Sequence, residues 1–477
     1  SNPNGRIPTS RNSGEPGFDR VKFDQAFLGY EFRHRFNDAV EFRQNLRVGQ
    51  VDVDMVSMRN GSGLCPTLAD PSCYGFNPAN FDPAQRVTVR DANFVGGSTK
   101  NFTIDNQLQA NFATGWLQHK MLFGLDYQKT EVSTDFRGSF LGFPLDVYNP
   151  VYGATPLPSK AQMIPFINTD SKQDQLGLYI QDQIKLDRWS LTLTGRHDRA
   201  TANTTNHLAG VVVPQEDSAF TGRAGLNYLF DFGLAPYVSY STSFQPVAGT
   251  QLTTATGQPF RPTTGEGLEV GIKYQPPGLK LLFTAAAFDI TQRNVVVNTP
   301  QFIPFQIGGV RVRGVETDLR ANITERLDII AGASHLEPVV TDHVDTRIVG
   351  KDMSAVNRDS AFLWGFYTMR DGPLAGLGFG GGVRYTGSLW GDDLNTVPIP
   401  PHTLFDAALS FDFSYLRRDL KGLHLRVNAT NLTDKYYVSN CFTGLPYCTL
   451  GQPRTVMATL TYRWNETPSS APLITKY

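Results

Sequence analysis

No apolar run in the 477-residue chain approaches the ~20 residues a membrane helix requires; one of the longest, Leu281 to Phe288, is far too short. A helical membrane protein is therefore excluded. Neither sign of charge is in excess, with 43 Lys plus Arg against 44 Asp plus Glu. That argues against a nucleic-acid partner, which needs a basic surplus. Cysteine is scarce: four residues, in two close pairs, Cys65/Cys73 and Cys441/Cys448. Four cysteines allow three pairings, and close spacing favours two local bridges and an oxidising compartment. The eight histidines are scattered, none at zinc-ligand spacing with a cysteine, so no metal site is expected. There is no nucleophile elbow, no His-Glu-x-x-His and no P-loop, so neither an enzyme nor a cofactor is expected. Ser1 to Arg6 lack the apolar core of a signal peptide, which leaves a leader already removed or a sequence cut from a longer one.

What the chain does have is alternation. In Thr455 to Trp464, Val456, Ala458, Leu460, Tyr462 and Trp464 fall on one side and Thr455, Met457, Thr459, Thr461 and Arg463 on the other. A strand sends successive side chains to opposite faces, so one face is apolar and the other largely polar. Leu423 to Thr430, Phe405 to Phe413 and Trp189 to Arg196 repeat the pattern. Asp182 breaks it in its own strand, without a sequence-level explanation. About seventeen such segments can be counted, each of about ten residues or more, which is long for a soluble strand and suited to a membrane strand.

The connections alternate in length. Short ones sit at Asn37-Asp38, Thr114-Gly115, Asp187-Arg188, Asp231-Phe232-Gly233, Pro276-Pro277-Gly278 and Asp371-Gly372-Pro373; long ones cover roughly 61–97, 133–170, 204–215, 247–262, 292–306, 343–356, 391–400 and 439–450. Short turns on one side and long loops on the other is the layout of an outer-membrane barrel. The fold expected is thus an all-β antiparallel transmembrane barrel. Both cysteine pairs lie in long loops, on the external side. The first strand, about Val21 to Phe36, runs inward, and so does the last. An odd strand count follows, which cannot close as a single-chain bacterial barrel. An N-terminal part with an odd number of strands is expected to be absent, leaving residues 1–464 as a partial barrel and 465–477 as a tail.

Gly376-Leu377-Gly378-Phe379-Gly380-Gly381 fits G-x-G-x-x-G, but it lies inside a strand with no helix after it, so close strand packing is the better reading. The inward faces carry mixed charge, including Arg196, Asp198, Glu316, Asp406 and Arg426. The long loops are rich in aromatics, among them Tyr74, Phe143, Tyr148, Tyr152, Phe260, Trp390, Phe442 and Tyr447. Loop aromatics are costly to expose unless they line a site or pack on one another. Tyr74, Tyr148, Tyr152, Trp390 and Tyr447 are the candidates for a ligand-binding mouth.

The stretch Asn428-Ala429-Thr430-Asn431-Leu432-Thr433-Asp434-Lys435-Tyr436-Tyr437, and Gly451-Gln452-Pro453-Arg454 before the last strand, resemble the C-terminal motifs of TonB-dependent outer-membrane receptors. Tyr179-Ile180-Gln181-Asp182-Gln183, Gly195-Arg196-His197-Asp198, Glu269-Val270-Gly271-Ile272-Lys273-Tyr274 and Arg313-Gly314-Val315-Glu316 resemble the ferric-siderophore branch typified by ferrichrome receptors. The resemblance spans nearly the whole chain. It implies a barrel of about 22 strands, a plug domain before it, and an N-terminal box engaging the TonB complex; none of the plug or box is in this sequence. It implies a ferric siderophore as cargo, with the iron already chelated and no protein metal ligand or cofactor. It also implies loop disulfides Cys65–Cys73 and Cys441–Cys448, and a ligand-facing role for Phe442. The surroundings implied are outer-membrane lipid and lipopolysaccharide, with the chain as a monomer. One departure is the stretch Arg59 to Leu64 before Cys65, which lacks the aromatics of ferrichrome receptors and points to another hydroxamate or mixed siderophore as readily as to ferrichrome.

Overall fold

The computed structural model describes residues 3–8, 10–62, 82, 84–247, 259–298, 304–441 and 448–464. In chain order the strands are β1 (Arg20–Arg35), β2 (Val40–Ser62), β3 (Val87–Thr114), β4 (Leu117–Asp146), β5 (Ile164–Leu186), β6 (Trp189–Asn206), β7 (Val211–Tyr228), β8 (Leu234–Gln245), β9 (Thr263–Tyr274), β10 (Leu281–Asn298) and β11 (Pro304–Asn322). They continue as β12 (Leu327–Asp342), β13 (Asp359–Thr368), β14 (Leu377–Thr386), β15 (Leu389–Trp390), β16 (Pro398–Ile399), β17 (His402–Asp412), β18 (Leu423–Thr430), β19 (Val438–Cys441), β20 (Cys448–Leu450) and β21 (Thr455–Tyr462). Seventeen of them form one antiparallel sheet, each paired with its neighbour in the chain; β15–β16 and β19–β20 are separate two-stranded ribbons. The count expected from alternation is therefore met, and it is odd. Among the described residues nothing pairs β1 with β21, and every residue of β1 is exposed.

Register sorts the side chains onto two faces. Leu425 opposes Leu460, Val427 opposes Ala458, and Leu409 opposes Val427, so these apolar residues share one face across three strands. Leu125 and Leu178, and Val238 and Val270, do the same elsewhere, and most of these side chains are exposed. An apolar face left open in this way belongs in lipid. The opposite face is polar and ion-paired. Arg196 bonds both Asp126 and Asp198, and Arg384 is bidentate to Asp406.

The short-turn end carries an aromatic girdle. Trp189, Tyr228, Phe230 and Phe232 form a chain of ring contacts, and Tyr462 meets Trp464 at 5.2 Å. Rings with a polar edge suit the membrane–water boundary. Asp182 finds its explanation close to this end. Its carboxylate lies 2.7 Å from Nδ1 of His119 on the neighbouring strand, whose Nε2 is 2.8 Å from the Thr114 hydroxyl, and Phe112 stacks on the imidazole. A carboxylate on the lipid side is tolerable only when paired in this way.

Several expected loops prove to be strand. Residues 61–62, 87–97, 133–146 and 164–170 are the external ends of β2, β3, β4 and β5, which reach 23, 28, 30 and 23 residues. Both faces are in water there, so polar residues such as Lys129, Glu131 and Asp135, in phase with Leu125, occupy positions that are apolar lower down, and alternation disappears. Backbone pairing continues without it, supported by cross-strand bonds such as Thr130 to Asn101 at 2.9 Å. This extension has its own core of Val56, Met58, Ala92, Phe94, Phe143 and Met163. Phe143 is thus a packing residue rather than a mouth aromatic, and Phe260 is likewise fully buried.

The glycine-rich match lies in β14, as expected of close packing. A Cβ on Gly380 would sit 2.5 Å from the Phe366 ring, and one on Gly382 2.5 Å from Trp364. The glycines leave room for the inward aromatics of β13. The C-terminal motif is also structural. The Asn431 side chain accepts from Lys435 N–H and donates to the carbonyls of Lys435 and Gln452, while its own N–H donates to Asp406. It ties the end of β18 to the approach to β21. Gly451 is required because a Cβ would enter the Tyr437 ring, which stacks on His402 at 4.1 Å.

Candidate ligand-capture site

The external end is built from connections that fold on one another. Residues 343–358, the β15–β16 ribbon and the β19–β20 hairpin form one block. Cys441 is disulfide-bonded to Cys448, which closes the hairpin, as the spacing favoured. Cys441 is buried against Leu389 and Ile399. Gly391 lies so close that a Cβ there would meet the Cys441 sulfur at 3.0 Å.

Trp390, one of the expected ligand aromatics, is half-buried in this block. Its indole N–H donates to Asp352 at 3.3 Å and its carbonyl accepts from Ala355 N–H at 2.8 Å. Asp352 also takes two bonds from Arg358, at 2.8 and 2.7 Å. These bonds push the Arg358 pKa up, burial opposing them. Trp390 therefore spends its polar edge on loop structure and leaves its ring for other contacts.

Tyr148 and Tyr152 lie elsewhere on the external end, after β4. The residues preceding β1 run across this region. Tyr148 Oη donates to the Gly5 carbonyl at 2.7 Å, and Tyr152 Oη donates to the Asn12 carbonyl at 2.6 Å. Arg6 in the same segment lies 3.5 Å above the Tyr436 ring, beyond β18. The segment thus connects the β4 side of the external end with the β18 side. Its anchor is Glu15, fully buried with Arg90: the pair is 2.8 Å apart, Arg90 also donates to the Gly14 carbonyl, and Glu15 accepts from Gly153 N–H. Asp146, beside Tyr148, is raised by burial but held below the usual carboxylate range overall by the N–H groups of Tyr148 and Asn149 and by Arg86.

Tyr148 and Tyr152 are therefore brought together, Trp390 belongs to a second block, and Tyr74, Phe442, Tyr447, Cys65 and Cys73 lie outside the described residues. Sequence reading missed Glu15, Arg90 and Asp352. Nothing local marks them, because Glu15 and Arg90 are 75 positions apart. No group of His, Cys, Asp and Glu able to hold a metal occurs among the described residues. The arrangement places aromatic rings and hydroxyls on two built blocks above an ion-paired polar wall.

Comparison with known proteins agrees with this geometry. Residues 1–432 match the family model described as TonB dependent receptor-like, beta-barrel. The chain is 34% identical over 475 residues to the ferrichrome outer membrane transporter/phage receptor of Escherichia coli, covering 97% of this chain and 61% of that protein. It is 33% identical to the ferrioxamine receptor of Yersinia enterocolitica, covering 94% and 60%. The chain thus spans about three-fifths of the length of these relatives. Among solved structures, the siderophore receptor PiuA from Acinetobacter baumannii superposes with a TM-score of 0.76 at 21% identity, over 94% of this chain and 66% of that one. These relatives are receptors and transporters by name, consistent with the absence of catalytic motifs. With its lipid-facing apolar side, its polar inner side and its family match, the chain belongs to the TonB-dependent receptor β-barrel family of the bacterial outer membrane.

Proposed function

We propose that the chain supplies the capture wall and passage of an outer-membrane receptor that imports a ferric siderophore, energised by the TonB complex. The observation that carries this reading is the division of the sheet: apolar and lipid-facing on one side, ion-paired on the other, topped by two built external blocks bearing Tyr148, Tyr152 and Trp390. Support for the cargo comes from the two relatives named for ferrichrome and ferrioxamine. Both are hydroxamate chelates that enclose the iron, so the protein needs aromatic and polar contacts rather than metal ligands or a cofactor. Phe442, Tyr447 and Tyr74 join the mouth in this reading, and Cys65–Cys73 is the second loop bridge.

The plug, the remaining barrel strands and the TonB contact are assigned to a part of the gene product outside this sequence. Those strands would pair with the open edges of β1 and β21. Capture by the external blocks would precede a plug rearrangement driven from the inner membrane. The receptor acts as a monomer bounded by outer-membrane lipid and lipopolysaccharide.

The test is intrinsic-fluorescence titration of the complete gene product with ferrichrome, ferrioxamine B, a ferric catecholate and cobalamin, beside Phe442→Ala. Saturable binding of one ferric chelate, weakened about tenfold by the substitution, is expected. Binding of cobalamin alone would replace the cargo. Silence across the panel would leave a passive channel.

A further inference from the structure

Two external connections meet at one carboxylate, and a third packs on one of them. Asp352 is 7% exposed, in a connection where, besides it, only Ile348 is buried. Its side chain accepts from Arg358 twice and from the Trp390 indole. Its backbone is held as well: Asp352 N–H donates to Asn395 Oδ1 at 2.9 Å, and Asn395 Nδ2 donates to the Asp352 carbonyl at 3.0 Å. A short bridge to Val339 and the bond from Met353 N–H to the Pro338 carbonyl seat this stretch on the external end of β12. The carboxylate thus joins the 343–358 connection to the β15–β16 ribbon, and the backbone beside it seats both on β12.

The ribbon passes the restraint on. Leu389, next to Trp390, packs with Ile399 on Cys441, which puts the bridged β19–β20 hairpin in the same unit. Gly391 lies against the Cys441 sulfur with no room for a methyl group. Hydrogen bonds to a buried charge are strong, and removing one partner strands the others. Without the Asp352 side chain, Arg358 and the indole N–H would each lose a partner, while the backbone bonds to Asn395 and the bond from Ser354 to Asp393 would remain.

We propose that Asp352 is a positioning residue for ligand capture: it clamps two external connections together, and the ribbon of one of them holds the bridged hairpin at the mouth. Asp352 acts through Trp390 and the ribbon and does not touch the ligand. The inference rests on the importer reading above, and the test separates the two.

The complete gene product would be compared with Asp352→Ala and Asp352→Asn in outer-membrane extracts. Folding of the barrel is checked by the heat-dependent shift in gel mobility, so a variant that fails to fold is recognised, and the asparagine variant, which keeps the shape and an acceptor for the indole, then carries the test. Two quantities are read: affinity for ferrichrome and ferrioxamine B, and the rate at which a mild reductant opens Cys441–Cys448, followed by mass spectrometry. For Asp352→Ala we expect affinity about tenfold weaker, by the 1.4 kcal/mol-per-decade relation, and reduction several-fold faster as Cys441 loses its cover. Asp352→Asn should lie between that variant and the parent in both. Faster reduction with unchanged affinity would overturn the role in capture. Weaker affinity with unchanged reduction would overturn the route through the ribbon. If the parent binds no chelate, the importer reading fails and the capture role falls with it, while the reduction rates still decide whether Asp352 clamps the block.

Discussion

The Glu15–Arg90 pair shows what a single contact contributes to the external end. Both side chains are 4% exposed or less, and each has further hydrogen bonds: Arg90 to the carbonyls of Gly14 and Phe143, Glu15 to Gly153 N–H. A buried pair of this kind adds little net stability compared with an apolar pair, but removing one partner leaves a bare charge, at a cost on the order of 3–5 kcal/mol. Arg90→Ala should therefore release the segment before β1. Hydrogen exchange in residues 10–19 is expected to accelerate at least tenfold, while exchange in β7 to β10 stays as in the parent. Glu15→Gln with Arg90→Met should restore much of the protection, since no charge is left unpaired. Equal exchange in Arg90→Ala and the parent would show that the segment is held elsewhere. No sequence pattern announces this pair, and only tertiary structure brings together two residues 75 positions apart. Asp182 illustrates the same limit. Its departure from alternation was legible, but its partner His119 lies on the neighbouring strand and could be found only from register.

Strands were legible where one face meets lipid and the other water. β17, β18 and β21 could be read off the period of two, and the observed register puts their apolar residues on a common face. The external ends of β3 and β4 were read as loop because both faces are wet and the period vanishes, although the ladder does not. Within β14 the same physics gives opposite expectations for two adjacent glycines. Glycine weakens a strand, so replacing it normally helps. At Gly381 an added Cβ has nothing nearer than the Asp406 carbonyl at 3.7 Å, whereas at Gly380 it would meet Phe366 at 2.5 Å and the Gly365 carbonyl at 2.8 Å. Gly381→Ala should be neutral or slightly stabilising. Gly380→Ala should destabilise by about 1–3 kcal/mol through overpacking. The midpoint of the heat-induced gel shift measures both; equal midpoints would mean that the rings of β13 move aside at no cost.

For the whole molecule the decisive feature is that the described residues form an odd-numbered sheet with two free edges. Turn lengths made it legible, because strands alternate in direction and the first and last both run inward. The β1 edge is long, 16 residues, all exposed, and among the described residues no strand pairs with its side away from β2. In water such an edge recruits other strands. In hydrocarbon each unpaired group costs several kcal/mol, and for that reason only helices and closed barrels span membranes. About ten residues of the β1 edge, and the 8 of β21, would lie within the bilayer, so the penalty far exceeds the net stability of an ordinary domain, ~5–15 kcal/mol. Neither edge offers the other relief, since no register joins β1 to β21 among the described residues. Residues 1–477 expressed alone behind a secretion signal are therefore expected to give no discrete heat-modifiable species and no iron uptake in a receptor-null strain. Co-expression of the upstream part of the gene product should restore both, because it would supply strands to each edge. Iron uptake by the 477 residues alone would mean that the edges close on each other in the membrane, in a barrel of odd strand number, and that passage needs nothing beyond this chain.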